Sequence, residues 1–152
     1  MDRNYAIIVT MNYIVGLGNP GEKYVGTRHN VGWLVLDYLI EKNNLPSPIQ
    51  NKGYSGQISE GTLDGSETSV LYPDTFMNNS GSAVVKLVPR EWAEKLIVVH
   101  DDIDLPFGTL KVTKGRGAGG NNGVQSIIDK LGSNQFVRVR IGIAPTTLFG
   151  GK

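Results

Sequence analysis

Apolar positions recur along the chain with the period of a helix in some stretches and of a strand in others. A first helix is predicted over residues 30–42, where an apolar stripe returns every third or fourth residue and is expected to face a sheet. Later stripes at the same spacing predict a short helix after residue 81 and another after residue 123. The apolar positions of these three helices are Val31, Leu34, Val35, Tyr38, Leu39, Ala83, Val84, Leu87, Val124, Ile127, Ile128 and Leu131.

Strand patterns separate the predicted helices. Short apolar runs bounded by glycine or proline, and one alternating stretch near the end of the chain, are typical of β-structure. Asp64-Gly65 lies between two such stretches and predicts a hairpin turn. The predicted strands lie at residues 13–15, 53–59, 68–72, 96–99, 109–113 and 136–143. Strands that alternate with helices and include a hairpin predict the α/β class with a mixed sheet.

The composition limits the classes of protein to which this chain can belong. It has 152 residues, of which 39% are hydrophobic and 19% charged, so we expect one globular domain. The absence of cysteine excludes disulfides, thiolate metal sites and a cysteine nucleophile, and agrees with a cytoplasmic location. Every apolar run is too short to span a membrane. Met11 is a candidate internal start, so residues 1–10 are expected to be an N-terminal extension.

The charge is distributed unevenly along the chain. The net charge is only +1, but residues 109–143 carry six basic side chains and one acidic side chain, a local charge of +5 that leaves −4 for the remainder. The six basic residues are Lys111, Lys114, Arg116, Lys130, Arg138 and Arg140. Such a stretch favours an anionic partner, although an ordinary solvated surface explains it equally well.

The loop after the first predicted strand is the most informative part of the sequence. Gly16-Leu17-Gly18-Asn19-Pro20-Gly21 superficially matches the glycine pattern of dinucleotide-binding loops. That pattern opens directly into a helix, whereas here the loop continues to about residue 30, so we do not favour nucleotide binding. The loop instead places Asn19 near a strand end, where α/β sheets bind their ligands, and His29 just before the first helix.

Asn19 and His29 belong to a set of polar residues at the ends of predicted apolar elements, and the set is completed by Asn78, Asp101 and Asn122. An imidazole can take a proton from water, and a carboxylate can orient the imidazole. Carboxamides can bind a carbonyl oxygen as it gains negative charge. Together these groups predict hydrolysis of an activated acyl compound by water.

The titratable residues of this set also have simpler structural explanations. His29 can be a capping or surface residue at the start of a helix. Asp101, Asp102 and Asp104 can form turns. They can also bind Mg²⁺ through their oxygens, although no acidic cluster elsewhere supports a metal site.

Two further features have more than one explanation. Tyr24 and Phe76 can be core residues or can stack on bases. The glycine-rich stretch at residues 115–123 can be a flexible connection, or it can bind phosphate through its backbone N–H groups. It lacks the lysine of a Walker loop, so it is not a nucleotide-binding loop of that kind.

Five motifs resemble, in the same order, those of the bacterial-type peptidyl-tRNA hydrolases. They are Gly16-Leu17-Gly18-Asn19-Pro20-Gly21 with Tyr24, Thr27-Arg28-His29-Asn30, Thr75-Phe76-Met77-Asn78-Asn79-Ser80-Gly81, His100-Asp101-Asp102-Ile103-Asp104-Leu105-Pro106 and Arg138-Val139-Arg140-Ile141-Gly142-Ile143. The resemblance implies a single three-layer α/β domain with a twisted mixed β-sheet between helices. It implies cleavage of the ester between peptide and tRNA without a metal or other cofactor, and we expect a monomer with no obligate protein partner.

The resemblance assigns a role to most of the candidate residues. His29 would be the general base that activates water, and Asp101 would keep it basic and oriented. Asn19 would contact the substrate near the ester and help to distinguish blocked from free aminoacyl groups. The cleft for the tRNA end and the peptide would be lined by Tyr24, Phe76, Asn78 and Asn122. Our candidates for phosphate contacts are Lys111, Arg116, Arg138 and Arg140.

The chain departs from the family pattern in two places. The glycine-rich loop of the family usually ends Gly-His-Asn-Gly, whereas Asn121 stands here in place of the histidine. The sequence also stops soon after the last predicted strand, so residues 11–152 are expected to form a domain without the lid and closing helix of the family.

A non-catalytic RNA-binding relative that assists RNA processing is the competing interpretation. Some proteins of this fold act in that way, and a shortened chain slightly favours it. The joint presence of His29, Asp101, Asn19 and Asn78 favours the enzyme.

Overall fold

The computed structural model describes residues 11–145 as one seven-stranded sheet with three α-helices. The strands are β1 (Met11–Gly16), β2 (Ile49–Asn51), β3 (Gly56–Leu63), β4 (Ser66–Pro73), β5 (Leu96–Pro106), β6 (Leu110–Lys114) and β7 (Val137–Ala144). The helices are α1 (Val31–Lys42), α2 (Ser80–Leu87) and α3 (Asn122–Leu131). No helix among these residues has the length and apolar character needed to span a bilayer. The expected N-terminal extension, residues 1–10, lies outside the described residues, as do residues 146–152 of the expected domain.

The sheet is mixed, and its strand order is β2-β3-β4-β1-β5-β7-β6. The four strands β4, β1, β5 and β7 are parallel neighbours. The outer strands β2, β3 and β6 are joined to the sheet in antiparallel fashion. The carboxyl ends of the parallel strands therefore lie at one edge, where α/β sheets bind their ligands. The predicted class and the mixed sheet are confirmed.

Helices cover both faces of the sheet. On one face Leu36 and Ile40 of α1 join a core cluster with residues of β1, β4 and β5. The predicted stripe of this helix was wrong at Leu34 and Tyr38, which are exposed. On the other face Val84 of α2 and Ile127 of α3 join a larger cluster. Each apolar side chain buried in this way contributes about 1.5–3 kcal/mol of hydrophobic stabilisation. The three-layer domain implied by the resemblance is confirmed.

The central strand β5 is longer than predicted. The apolar run ends at Val99, but the strand continues to Pro106 and pairs with β7, with one register shift after Asp102. Asp101 therefore lies within the strand, opposite Ile141, and not after its end as expected. Aspartate is disfavoured in strands, but the side chains of Asp101 and Asp102 both have hydrogen-bonding partners on neighbouring elements.

The predicted hairpin between β3 and β4 is confirmed. Asp64 has φ 50° and Gly65 has φ 79°, which are the backbone angles of a type I′ turn. β3 begins later than predicted because Lys52–Tyr54 forms a 3₁₀ turn capped by the side chain of Asn51. The short strand β2 was not predicted, since all three of its residues are exposed and give no apolar alternation.

Two glycines allow the start of α1 to approach the ends of β1 and β5. A Cβ atom at Gly16 would lie 2.6 Å from Cδ1 of Leu36, and one at Gly32 would lie 2.6 Å from the carbonyl oxygen of Val99. Both distances are far inside van der Waals contact. Gly32 follows His29 closely in the chain, so this approach brings His29 next to β5.

Candidate active site

A cleft of about 190 Å³ lies among β5, the turn before α1 and the glycine-rich loop before α3. It forms at the edge of the sheet where the parallel strands have their carboxyl ends. The cleft is lined by His29, Met77, His100, Asp101, Asp102, Ile103, Ala118, Gly119, Gly120, Asn121 and Asn122. Three of the predicted site residues, His29, Asp101 and Asn122, are thus brought together.

His29 and Asp101 form a close pair in this cleft. Nδ1 of His29 lies 2.6 Å from Oδ2 of Asp101, and the two residues are 72 positions apart in the sequence. The His29 side chain is 60% exposed, whereas that of Asp101 is 6% exposed. Because a carboxylate can only accept, Nδ1 carries the proton in this contact. In the neutral ring Nε2 is then the nitrogen that can take a proton from water.

Asn19 is fixed on both its backbone and its side chain. Its backbone N–H donates to Oδ1 of Asn30 at 2.8 Å, and its carbonyl accepts from Nδ2 of Asn30 at 3.0 Å. Its side-chain Oδ1 accepts from the backbone N–H of Met77 at 2.7 Å. The amide oxygen of Asn19 is therefore used within the protein, and among residues 11–145 its NH₂ group is the part that remains to donate to a ligand.

His100 and Asn121 also contact Asp101. Nδ1 of His100 donates to the backbone oxygen of Asp101 at 2.7 Å. Nδ2 of Asn121 lies 3.2 Å from that same oxygen and 3.4 Å from the carboxylate Oδ1. Burial lowers the pKa of His100, and the positive charge of Arg138 acts in the same direction. The buried ring of His100 is therefore neutral at pH 7, in the tautomer protonated on Nδ1.

Asp102 forms an ion pair with Arg140. Nε of Arg140 donates to Oδ2 of Asp102 at 2.7 Å, and Oδ1 of Asp102 accepts from the backbone N–H of Asp104. Burial alone would raise the pKa of Asp102, but these two donors hold it below its usual range. Across residues 11–145 no group of three or more His, Cys, Asp or Glu side chains is arranged to bind a metal ion.

The remaining cleft candidates lie beside the cleft. Tyr24 and Phe76 form an edge-to-face pair with ring centroids 6.5 Å apart, and Phe76 is exposed. Asn78 is exposed in the 3₁₀ turn that also contains Met77. The two rings and Asn78 do not line the cleft themselves, although Met77, which separates Phe76 from Asn78 in the sequence, does.

The four predicted phosphate contacts occupy three kinds of environment. Lys111 and Arg116 are exposed, and Arg140 is paired with Asp102. Arg138 is only 4% exposed, and its Nη1 donates to the carbonyl oxygen of Gly117 in the glycine-rich loop at 2.7 Å. This position does not fit a direct phosphate contact, and the structure assigns Arg138 to the loop instead.

Sequence reasoning did not identify several residues that build the site. Asn30 holds Asn19 through both backbone groups, and Met77 holds its side chain. Both lie inside the motifs quoted above, next to residues that were chosen, so the motifs were the available signal. Asn121 was noted only as a departure from a pattern, and its contact with Asp101 could not be read from spacing.

Comparison with known proteins places this geometry in a family. The family model described as peptidyl-tRNA hydrolase matches residues 13–149. The peptidyl-tRNA hydrolase of Thermodesulfovibrio yellowstonii is 47% identical over 137 residues, which are 88% of this chain and 72% of the relative. That of Syntrophotalea carbinolica is 44% identical over 135 residues, which are 88% of this chain and 70% of the relative.

Solved structures agree with the sequence relatives. A crystal structure of peptidyl-tRNA hydrolase from Acinetobacter baumannii superposes with a TM-score of 0.83 at 34% identity, and the match covers 89% of this chain and 69% of that one. The family match spans the strands, the turn before α1 and the loop before α3 that together surround the cleft. The chain therefore belongs to the peptidyl-tRNA hydrolase family.

Proposed function

We infer that this protein hydrolyses the ester bond between peptide and tRNA in peptidyl-tRNA, and so recycles tRNA from abandoned translation. Membership of the peptidyl-tRNA hydrolase family supports peptidyl-tRNA as the substrate. The observation that carries the chemistry is the 2.6 Å contact between Nδ1 of His29 and the buried carboxylate of Asp101, at the border of an open cleft.

In the proposed reaction His29 is the general base. Its Nε2 removes a proton from water while the water oxygen attacks the ester carbonyl carbon. Collapse of the tetrahedral intermediate breaks the bond to the ribose oxygen, which takes the proton back from the imidazolium. The products are a peptide carboxylic acid and a tRNA with a free terminal hydroxyl. Asp101 stabilises the imidazolium between the two transfers and fixes the tautomer of the ring.

Asn19 is proposed to bind the acyl end of the substrate. Because its Oδ1 accepts from Met77, the side chain can offer only its NH₂ group as a donor. That group suits a carbonyl oxygen, either that of the ester or that of an acylated amine. A donor fixed in place at such a carbonyl also stabilises the negative charge that develops there.

The tRNA end is proposed to contact the surface around this cleft. Asn122 borders the cleft, and Asn78 extends its polar rim. The exposed pair of Tyr24 and Phe76 offers ring faces on which terminal bases can stack. Among the basic candidates, Lys111, Arg116 and Arg140 remain as phosphate contacts. Arg140 uses its Nε for the pair with Asp102, so its contact with phosphate would come from the other N–H groups of the guanidinium.

The proposal also includes the oligomeric state of the protein and its cellular location. We propose a monomer as the active form, since the pair of His29 and Asp101 is complete within one protomer. A tRNA substrate supports a cytoplasmic location, where translation takes place. The alternative of a non-catalytic RNA-binding protein is not favoured, because relatives that match most of the chain bear the name of the enzyme.

A comparison of two substrates tests the proposed function. One aminoacyl-tRNA is assayed before and after acetylation of its α-amine, since the free amine is largely cationic near pH 7 and offers no acyl carbonyl. A site that hydrogen-bonds a substrate group can reject an analogue without it by as much as ~10⁴-fold. We expect rapid hydrolysis of the acetylated form only. Equal rates on both would instead indicate a general esterase.

The same assay with Asn19→Ala tests where the discrimination lies. We expect the preference for the acetylated substrate to shrink, because the NH₂ donor is lost. A preference of unchanged size would leave the activity in place and move the discrimination to Asn78 or Asn122.

A further inference from the structure

The carboxamide of Asn121 joins the glycine-rich loop to the catalytic carboxylate. Asn121 is the N-cap of α3, and its Oδ1 accepts from the backbone N–H of Val124 at 2.9 Å. Its Nδ2 lies 3.2 Å from the backbone oxygen of Asp101 and 3.4 Å from the carboxylate Oδ1 of Asp101. One side chain thus satisfies a helix end and contacts the residue that orients His29.

The direction of the amide follows from its neighbours. A backbone N–H can only donate, so the Asn121 atom that faces Val124 is the oxygen. The two oxygens of Asp101 can only accept, so the atom that faces them is the nitrogen. In a flipped amide, the NH₂ group of Asn121 would face the N–H of Val124, and its oxygen would face the oxygens of Asp101. Both contacts would be repulsive, so the cap at Val124 keeps the NH₂ group directed at Asp101.

The two oxygens of the Asp101 carboxylate have different partners. Oδ2 accepts from Nδ1 of His29, while Oδ1 faces Nδ2 of Asn121. A donor on the second oxygen limits rotation of the carboxylate about χ2, so Oδ2 stays directed at the imidazole. The loop that carries Asn121 is itself tied to the sheet by the hydrogen bond from Arg138 to Gly117.

We propose that Asn121 is a positioning residue for this reaction, which holds the carboxylate of Asp101 in the orientation that fixes the Nδ1-protonated tautomer of His29. The inference rests on the proposed function. The family pattern has a histidine at this place, whereas the carboxamide offers a donor and an acceptor together at every pH. The distances of 3.2 and 3.4 Å are at the long end of the hydrogen-bonding range, so the effect on the rate is smaller than that of losing His29 itself.

The decisive variant is Asn121→Ser, which separates capping from positioning. Serine is as good an N-cap as asparagine, but its short hydroxyl cannot cap Val124 and also donate to Asp101. We expect unchanged thermal stability, a kcat on N-acetylated aminoacyl-tRNA lower by roughly 10- to 100-fold, and an unchanged KM. Asn121→Asp also keeps the cap acceptor and has no donor, so it should lower kcat at least as much.

A spectroscopic measurement makes the test independent of turnover. The ¹⁵N chemical shifts of the His29 ring report its tautomer in the free protein, and the only other histidine is His100. We expect the Nδ1-protonated form to predominate in the unmodified protein and to mix with the Nε2-protonated form in Asn121→Ser. If the unmodified protein has no hydrolase activity, the proposed function fails, while the tautomer still decides the role of Asn121.

Asn51→Ser is the matched control. Asn51 caps Lys52–Tyr54 by accepting from Gly53 at 2.8 Å, on a strand separated from β5 by three others. This variant should keep both the kcat and the His29 tautomer of the unmodified protein. A folded Asn121→Ser or Asn121→Asp protein with the kcat and tautomer of the Asn51→Ser control would overturn the proposal and leave Asn121 as a helix cap only.

Discussion

Arg138 donates a hydrogen bond from Nη1 to the carbonyl oxygen of Gly117 at 2.7 Å, from a side chain that is almost completely buried. Burial and the nearby charge of Arg140 lower the pKa of Arg138, but an arginine remains charged in any protein environment near neutral pH. A buried guanidinium that donates to a loop carbonyl restrains that loop, which carries Asn121 toward Asp101.

We predict that Arg138→Met and Lys111→Ala affect tRNA binding in different ways. The slope of log binding constant against log salt concentration should fall by about 0.7–0.9 in Lys111→Ala, because one phosphate contact is lost. In Arg138→Met the slope should not change, while amide hydrogen exchange in residues 115–121 becomes faster. An equal loss of slope in both variants would show that Arg138 meets phosphate in the complex.

We predict that His29→Ala lowers kcat by about 100- to 10,000-fold, the usual contribution of a positioned general base. His29→Asn is the matched variant, because its carboxamide nitrogen can still donate to Asp101 but cannot take a proton from water. Both should be equally inactive, and His29→Asn should be the more stable in thermal denaturation. Near-normal turnover by either folded protein would remove His29 from the mechanism.

We predict that Asp101→Asn lowers kcat by roughly 10²- to 10⁴-fold and leaves tRNA affinity nearly unchanged, because an amide stabilises the imidazolium less and can select the wrong tautomer. EDTA should have no effect on the unmodified protein, since the carboxylate of Asp101 faces donors of His29 and Asn121. Activity that is lost in EDTA and restored by Mg²⁺ would instead identify the aspartates as a metal site.

We predict that the free energy of unfolding falls as the pH drops below 6.5, the ordinary pKa of histidine, because burial lowers the pKa of His100 in the folded protein. Below that pH the unfolded chain binds a proton that the folded protein does not, so stability is full above 6.5 and decreases below it. The positive charge of Arg138 also lowers the pKa of His100, whereas the negative charges of Asp101 and Asp102 raise it. The pKa is lowered overall, because burial has the largest effect. Asp102 adds its own loss only below 3.8, its usual value, so the two effects are separable.

Urea denaturation at about pH 7.5 and about pH 5.5 measures this effect. His100→Asn retains a donor for the backbone oxygen of Asp101 and removes the titrating ring, so its stability should change less between the two pH values. His29→Asn serves as the control that retains His100. An equal pH dependence in all three proteins would show that His100 does not contribute.

Sequence patterns correctly predicted those helices and turns that depend mainly on residues close together in the chain. The bounds of α1 and the Asp64-Gly65 turn were correctly placed, because helix periodicity and positive φ angles are properties of neighbouring residues. The buried face of α1 was only partly right, since Leu34 and Tyr38 of the predicted stripe are exposed. The extension of β5 was missed since Asp101 and Asp102 suggest a loop until their partners on other elements are known. The short exposed strand β2 offered no pattern at all.

The site was predicted from the family resemblance more than from spacing. The contact between His29 and Asp101 joins residues 72 positions apart, and no period in the sequence connects them. Arg138 and Arg140 alternate with apolar residues as predicted, yet their exposure depends on the loop above β7 and on Asp102. Burial set by a distant segment cannot be inferred from the strand that carries the side chain.

Gly16 and Gly32 have a consequence for the genetics of this enzyme. A screen that scores activity alone should find both positions intolerant to nearly every replacement, because an added Cβ would overlap Leu36 or the carbonyl of Val99. Neither glycine contributes a side chain to the chemistry, so such a screen would report the permitted spacing between a helix and a sheet. Inactive variants at these two glycines and at His29 would then give the same result in the screen. Only a measurement of the amount of folded protein would distinguish the glycine variants, which disturb the packing, from the His29 variants, which lack the general base.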